Sequence, residues 1–574
     1  MRGPLRTGIV MTAAITAAVT LYLASTLPAR TIALDGGPPA THIPGAYHIH
    51  TNRSDGTGSI DEIAAAAARA GLGFIILTDH GDGTRRPEPP AYRSGVLAID
   101  AVELNTRQGH LVAIGIDEAA PYPLAGMAAD VIDDVHRLGG VAIAAHPDSP
   151  RNELAWRGGR GGGSGTVDGI EWINADSEWR DDSAAALVTR AAHSLVRGPE
   201  SVAALFSRPT RSLQRWDDAA RLRPMFGVAA VDAHARIGWR ENEEPRQRTL
   251  LKRPSYETLF RTLVQTAIVD DGLSGDAHGD AQRIVAALAG GRSYSTVRAH
   301  AWPSALEFSA QQGERMHQSG ARVNSADAPL TFRASVATAP GAHIVLLRDG
   351  RALATGQGQL VATDVAAPGA YRVEVRLTED AVPWIASNPI TIVAPPQNPD
   401  ASQRPEPPAT AAVAERVPLT DAASWNVEHD PLSTGTVVAD GNGVRFAYRL
   451  GDGVAHGQYV AAAHGDDGEV GVETIQFTAR AGAPMRLSVQ VRLPEGRGRG
   501  AQRWRRSVYV DETARPFVLR LQDFEPADQP TARRPIVTPI HSVLFVVDTV
   551  NTRPGSSGTV WLSDVALGVN RLDQ

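Results

Sequence analysis

The chain of 574 residues contains no cysteine. That excludes disulfides, thiolate metal ligands and a cysteine nucleophile. Lysine is almost as scarce: Lys252 stands alone among 56 basic residues, the rest being arginine. There is no long basic run, and the formal net charge is −7. Nucleic acid is therefore excluded as the main partner. Long apolar runs are missing too, except one at the start. Arg2 and Arg6 precede an uncharged, mostly apolar stretch from Gly8 to about Ala24. Charge before such a run predicts an inside N-terminus and an exported bulk. Residues 1–29 are thus expected to be a signal peptide or an N-terminal membrane anchor. Leu27-Pro28-Ala29 makes a poor cleavage site, which favours the anchor. The expected location is periplasmic or extracellular.

What is present is histidine and carboxylate at strand ends. Gly-Phe-Ile-Ile-Leu-Thr precedes Asp79-His80, Gly-Val-Ala-Ile-Ala-Ala precedes His146, and Phe-Gly-Val-Ala-Ala-Val precedes Asp232-Ala233-His234. His48-Ile49-His50, Glu103 and His110 complete the set. Imidazole and carboxylate are the ligands of borderline divalent metals. Strand ends on one rim of an α/β barrel bring distant residues together. A lone histidine after a strand is usually structural, and His42, His136 and His193 are assigned that role. The His-x-His pair differs, because a period of two turns both rings to one side of a strand.

The stretch "YHIHTNRSDGTGSIDEIAAAAARAGLGFIILTDHGDG" resembles the PHP family, the polymerase and histidinol phosphatase metallohydrolases. The resemblance continues through "VELNTRQGHLVAIGI", "GGVAIAAHP", "GIEWIN" and "VAAVDAH", over about residues 45–300. It implies a distorted (β/α)7 barrel with two or three divalent ions (Zn, Mn or Fe). By motif, His48, His50, Glu103 and Asp232 would hold one metal. Glu103 would bridge to a second held by His110 and His146. A third would use His80 and His234, with Asp55 or Asp79 assisting. Some members carry histidine where this chain has Ser54-Asp55-Gly56. Glu103, Asp79 and Asp232 are the expected catalytic carboxylates. Asp79 is as readily a group that orients an imidazole as a ligand.

The chain is long enough for several domains. Residues 30–44 read as a tether and 45–300 as alternating strands and helices. Asp61 to Ala70 is an expected helix, with Ser59 as N-cap and Glu62 completing a capping box. A second is expected from Ala128 to Leu138, and further helices over 183–222. The Gly-rich run 158–165 reads as a mobile loop. Beyond Ala301 helical periodicity gives way to alternation. Residues 301–395 suit a small Ig-like β-sandwich, with a hairpin turn at Asp349-Gly350. A Pro-rich linker occupies 396–415. Residues 416–574 suit a jelly roll resembling galactose-binding-like, carbohydrate-binding sandwiches. The fold class is therefore multidomain, α/β followed by all-β.

The expected function is exported metal-dependent hydrolysis of a small-molecule ester, foremost a phosphoester attacked by a metal-bound hydroxide. The alternatives are a carboxylic or carbamate ester hydrolase on the same fold, and a non-catalytic cell-surface glycan-binding protein with a structural metal site. Arg85, Arg107 and Arg236 are candidate phosphate contacts, since guanidinium forks suit phosphate. Glu171 and Asn174, at the end of "GIEWIN", are candidate substrate contacts. A surface arginine is the commoner role in each of the three arginine cases.

Overall fold

The computed structural model describes residues 3–158, 166–180, 183–239, 248–327, 329–336, 342–377, 382–394, 415–419, 422–453, 457–465, 471–493, 502–527 and 538–569. The Gly-rich run from 159 and nearly all of the Pro-rich linker lie outside the described residues. The chain divides into two compact units, one of residues 1–118 and 127–396, the other of 119–126 and 397–574.

The first unit begins with a helix, Gly3–Ser25. Among the described residues no helix is long and apolar enough to cross a membrane. The end of the Gly3–Ser25 helix is fastened to Ala184–His193: the His193 ring lies 2.9 Å from the Leu23 carbonyl, and Arg190 donates to that of Thr26. This is the structural role expected of His193. His42 and His136 are similar, contacting the Tyr294 hydroxyl and Asp168.

Strand and helix then alternate. The helix Ile60–Ala70 starts where its cap dictates. Ser59 Oγ accepts from the Glu62 amide and the Glu62 carboxylate accepts from the Ser59 amide. Gly71 ends it at φ 72°, a left-handed turn that suits glycine. The second helix runs Ala128–Arg137, and the 183–222 region resolves into Ala184–His193, Gly198–Ala203 and Thr210–Leu222.

The strands of this unit divide over several sheets. One has six strands in the order Phe226–Ala230, Gly169–Asn174, Val141–Ala144, Gly109–Ile114, Val102–Thr106, His80–Gly81. All its pairings are parallel except those of Gly109–Ile114. A larger sheet contains Ser293–Thr296, Val264–Ile268, His42–Ile49, Phe74–Leu77 and Val96–Asp100 as consecutive neighbours. The chain crosses between the two sheets at Ala101. Backbone bonds stitch them at two places: Val231 to Tyr47 and Ala233 to His48 at one, Ala101 to Leu77 and Glu103 to Asp79 at the other. No described sheet closes on itself, so the single seven-stranded ring expected from sequence is not observed as one sheet. Tyr47, Phe74, Ile76, Val112, Ile143, Phe226 and Val228 fill the apolar space between.

The change of texture at 301 is not a break in the fold. Ile385–Ser387 pairs with Ser293–Thr296, so strands from 301–395 extend the large sheet to twelve. A four-stranded sheet, Arg315–Gln318, Leu306–Gln312, Leu330–Val336 and Gln359–Val365, packs on that extension. Together they form a small β-sandwich. Asp349 and Gly350, at φ 51° and 77°, form its expected two-residue hairpin turn. Arg372 locks the extension in place through two bonds to Asp217, on the helix Thr210–Leu222.

The second unit is a β-sandwich of two six-stranded sheets. Alternate residues of both sheets meet in one core: Val444, Phe446 and Tyr448 from one side, Val543, Phe545 and Val547 from the other. The short segment Ala119–Gly126 belongs with it, Asn551 donating to the carbonyls of Pro123 and Ala125.

Candidate metal centre

Nine side chains converge at the strand ends of the first unit. His48, His50, Asp55, His80, Glu103, His110, His146, Asp232 and His234 fall into four overlapping groups able to hold a metal ion, the ligand atoms within each lying within 4.8 Å of one another. Eight of the nine come from the expected set and the ninth, Asp55, from the expected pair of assisting carboxylates.

Local backbone explains the convergence. His80 is the parallel register partner of Glu103. The hairpin that pairs Asn105 with His110 leaves Glu103 and His110 on one face, with His110 Nδ1 2.6 Å from Glu103 Oε1. His48 and His50 do not meet by simple alternation. The pairing of their strand shifts register between Tyr47 and Ile49, and His48 sits in that bulge at φ 68°. His146 and Asp232 also have left-handed backbone, at φ 28° and 44°. Such conformations in non-glycine residues cluster at functional sites. Gly56 lets the following loop close over the pair, because a Cβ there would meet the His50 carbonyl oxygen at 2.1 Å.

Glu103 is the hub. Its Oε2 faces His48 Nε2 at 3.4 Å, His50 Nε2 at 3.3 Å and His80 Nδ1 at 3.2 Å. Its Oε1 faces His110 Nδ1 at 2.6 Å and His146 Nε2 at 2.9 Å. Asp232 Oδ1 lies 3.2 Å from His50 Nε2 and 3.6 Å from His234 Nδ1. Asp55 Oδ1 lies 3.2 Å from His234 Nε2 and 3.8 Å from His80 Nε2.

Burial without partners tests whether this donor set fits a metal. His48 Nε2, both nitrogens of His50, His146 Nδ1 and Asp55 Oδ1 are buried and make no hydrogen bond. Orphaned polar atoms of this kind are costly. A cluster of imidazole nitrogens and carboxylate oxygens is the donor chemistry of Zn, Mn or Fe, so the residues fit such ions. The carboxylates and imidazoles also shift one another's charge. Burial opposes charge on Glu103, yet His48 and His80 hold its carboxyl well below the usual range. Asp232 behaves likewise under burial and the pull of His48. Burial disfavours a charged His234, but Asp55 and Asp232 lift its pKa to about 9. Burial lowers that of His80.

Several expected residues are placed elsewhere. Asp79 does not join the cluster. Its carboxylate accepts from the Thr51 amide and hydroxyl, the Ser54 hydroxyl and the Arg53 guanidinium, which fixes the loop after His50. Glu171 and Asn174 are 0 % and 4 % exposed. They lie against His48, His146 and Asp232. Arg85 is spent on Asp100 and Arg236 on Asp55. Arg107 sits exposed on the Thr106–Gly109 turn. Sequence reasoning missed the contacts of Glu171 with the His48 ring and the His146 amide, although its place at a strand end beside the ligands was visible.

No protein-family model matches the chain, and no curated protein matches it. Among the solved structures similar to part of it are carbohydrate-binding modules with a β-sandwich fold. One is a family 11 carbohydrate-binding module from Clostridium thermocellum in complex with a β-1,3-1,4-mixed-linked tetrasaccharide. It is 16 % identical, with a TM-score of 0.22, and the match covers 26 % of this chain and 94 % of that one. Another, from a study of promiscuous carbohydrate-binding modules of the β-sandwich superfamily, is 12 % identical with a TM-score of 0.20, covering 46 % and 97 %. A family 30 carbohydrate-binding module is 12 % identical with a TM-score of 0.18, covering 25 % and 76 %. At these levels the likeness bears on no ligand or activity of this chain.

Proposed function

We propose that the chain is a metal-dependent hydrolase of the PHP type, acting on phosphoesters of small molecules. One observation carries the reading: the two oxygens of Glu103 face two separate sets of imidazoles. That is the placement a bridging carboxylate needs. His48, His50 and Asp232 would hold one ion and His110 and His146 a second. His80, His234 and Asp55 would hold a third. Two such ions supply Lewis acidity and an activated water, and stabilise the leaving oxygen.

The chain's own residues provide the rest. Glu103 and Asp232 supply anionic oxygens that would let several cations be held close together. Asp79 holds Thr51, Arg53 and Ser54, and with them the loop that carries Asp55. Arg236 orients Asp55 from its other oxygen. The two stitched sheets are read here as an open form of the distorted (β/α)7 barrel. Export, directed by the segment 8–24, belongs to the same proposal, supported by Arg2 and Arg6 ahead of an apolar run.

Metal analysis of the purified protein is the first test, with two or three divalent ions per chain expected. A panel of chromogenic phosphodiester, phosphomonoester and carboxylester substrates is the second. Phosphoester turnover should vanish on chelation and return with Mn or Zn. Turnover of the carboxylester alone would move the reading to that alternative. Full metal with no turnover across the panel, together with glycan binding, would replace the enzyme by the binding protein. A reporter fused after residue 574 should behave as exported.

A further inference from the structure

We infer that Glu171, aided by Asn174, is a positioning residue that fixes the tautomer of His48 and ties together three strands of the metal centre. The inference rests on the metal reading above.

Glu171 comes from Gly169–Asn174 and is fully buried, as is His48. Its Oε1 lies 2.5 Å from His48 Nδ1. Its Oε2 accepts from the His146 amide at 2.7 Å and from Asn174 Nδ2 at 2.9 Å. Asn174 Nδ2 also reaches Asp232 Oδ2 at 3.2 Å, while Asn174 Oδ1 accepts from the Ser177 amide at 3.0 Å. One carboxylate and one amide therefore touch residues of three candidate ligand positions, each on a different segment.

The chemistry follows from what each atom can do. A carboxylate only accepts, so the 2.5 Å contact requires the proton on His48 Nδ1. In the neutral ring Nε2 then carries the lone pair. That nitrogen makes no hydrogen bond and points at the space between Glu103 Oε2 and Asp232 Oδ1, 3.4 Å and 3.5 Å away. A carboxylate behind an imidazole both orients it and raises its donor strength. His48 needs such a brace, because its backbone sits in a bulge at φ 68°. The Asn174 orientation is fixed independently: the Ser177 amide demands an oxygen, leaving nitrogen for the two carboxylates.

The decisive variant is Glu171→Gln. Its amide nitrogen must face either His48 or the opposite pair of donors. Against the His146 and Asn174 N–H groups it would clash donor to donor, so it turns to His48. There it donates to Nδ1, drives the ring proton to Nε2 and removes the lone pair. Titration of metal-stripped protein with Zn or Mn should show binding weakened about 10–100-fold, the range of such outer carboxylates. The visible spectrum of the Co-substituted protein should change with it. Glu171→Asp, which keeps the charge, should recover part of the affinity. Wild-type affinity in the Gln variant overturns the inference. A wild-type chain that takes up no divalent metal overturns the metal reading itself, which is a separate failure. Should the Gln variant not fold, the wild-type protein decides. With 15N-labelled histidine and Zn bound, a proton on His48 Nδ1 supports the brace and an unprotonated Nδ1 refutes it.

Discussion

The strand ends of the first unit and the core of the C-terminal sandwich are both buried, but opposite kinds of residue fill them. At the strand ends, imidazoles and carboxylates crowd together with several atoms left unpaired, and three of the candidate ligands take left-handed backbone. In the sandwich, valine, leucine and phenylalanine alternate into a single apolar core. The first arrangement is costly while those atoms lack partners. The second is favourable as it stands. The contrast separates the part of the chain that folds for its own stability from the part held in readiness by the rest.

That separation can be broken experimentally. The largest effect is expected at the hub. Glu103→Gln leaves five imidazoles facing a neutral amide, with one carbonyl oxygen and an NH2 donor in place of the carboxylate. Metal retention should fall, and hydrolysis by at least about 10²-fold. Unchanged metal content in this variant would refute the hub. Phe446→Ala should do the reverse. Phe446 is fully buried in the sandwich core, so its loss should cost about 3–5 kcal/mol by denaturant titration. Metal stoichiometry should not change, and coupled loss of metal would show that the two regions are not independent.

A third prediction concerns the ion cluster of the shared sheet. Burial opposes charge on Glu374, but Arg372, Arg208 and Arg376 lower its pKa from 4.5 to about 2. A depressed carboxylate stabilises the fold above its unfolded value and loses that contribution as pH falls. Between pH 4.5 and about 2, roughly 3 kcal/mol should disappear. Glu374→Gln should flatten this part of the acid unfolding curve, and an identical curve would dismiss the cluster as a source of stability.

Most of the candidate ligands were legible because they sit at or just beyond a short apolar run, whereas His110 opens the strand Gly109–Ile114 and meets Glu103 through an antiparallel hairpin. Ser59 with Glu62, and Asp349 with Gly350, were legible because caps and tight turns depend on adjacent residues. Three features were not. The bulge at His48 breaks the alternation that sequence spacing assumes. The choice between Asp55 and Asp79 turns on which carboxylate the Thr51, Arg53 and Ser54 donors capture, and both sit in loops of the same rim. The shared sheet joins Ser293–Thr296 to Ile385–Ser387, a pairing with no local signal across so much intervening chain.

The shared sheet also governs how the protein can be shortened. A chain ended at 300 would keep Ser293–Thr296 but lose the Ile385–Ser387 strand beside it. Its outward amides and carbonyls would become an open edge, and open edges recruit strands from other molecules. Asn388, which donates to the carbonyls of Gly227 and Ser293, would be lost as well. Such a fragment should precipitate or self-associate, whatever the state of its histidines. One ended after Val393 retains both the strand and the amide, and should stay dispersed.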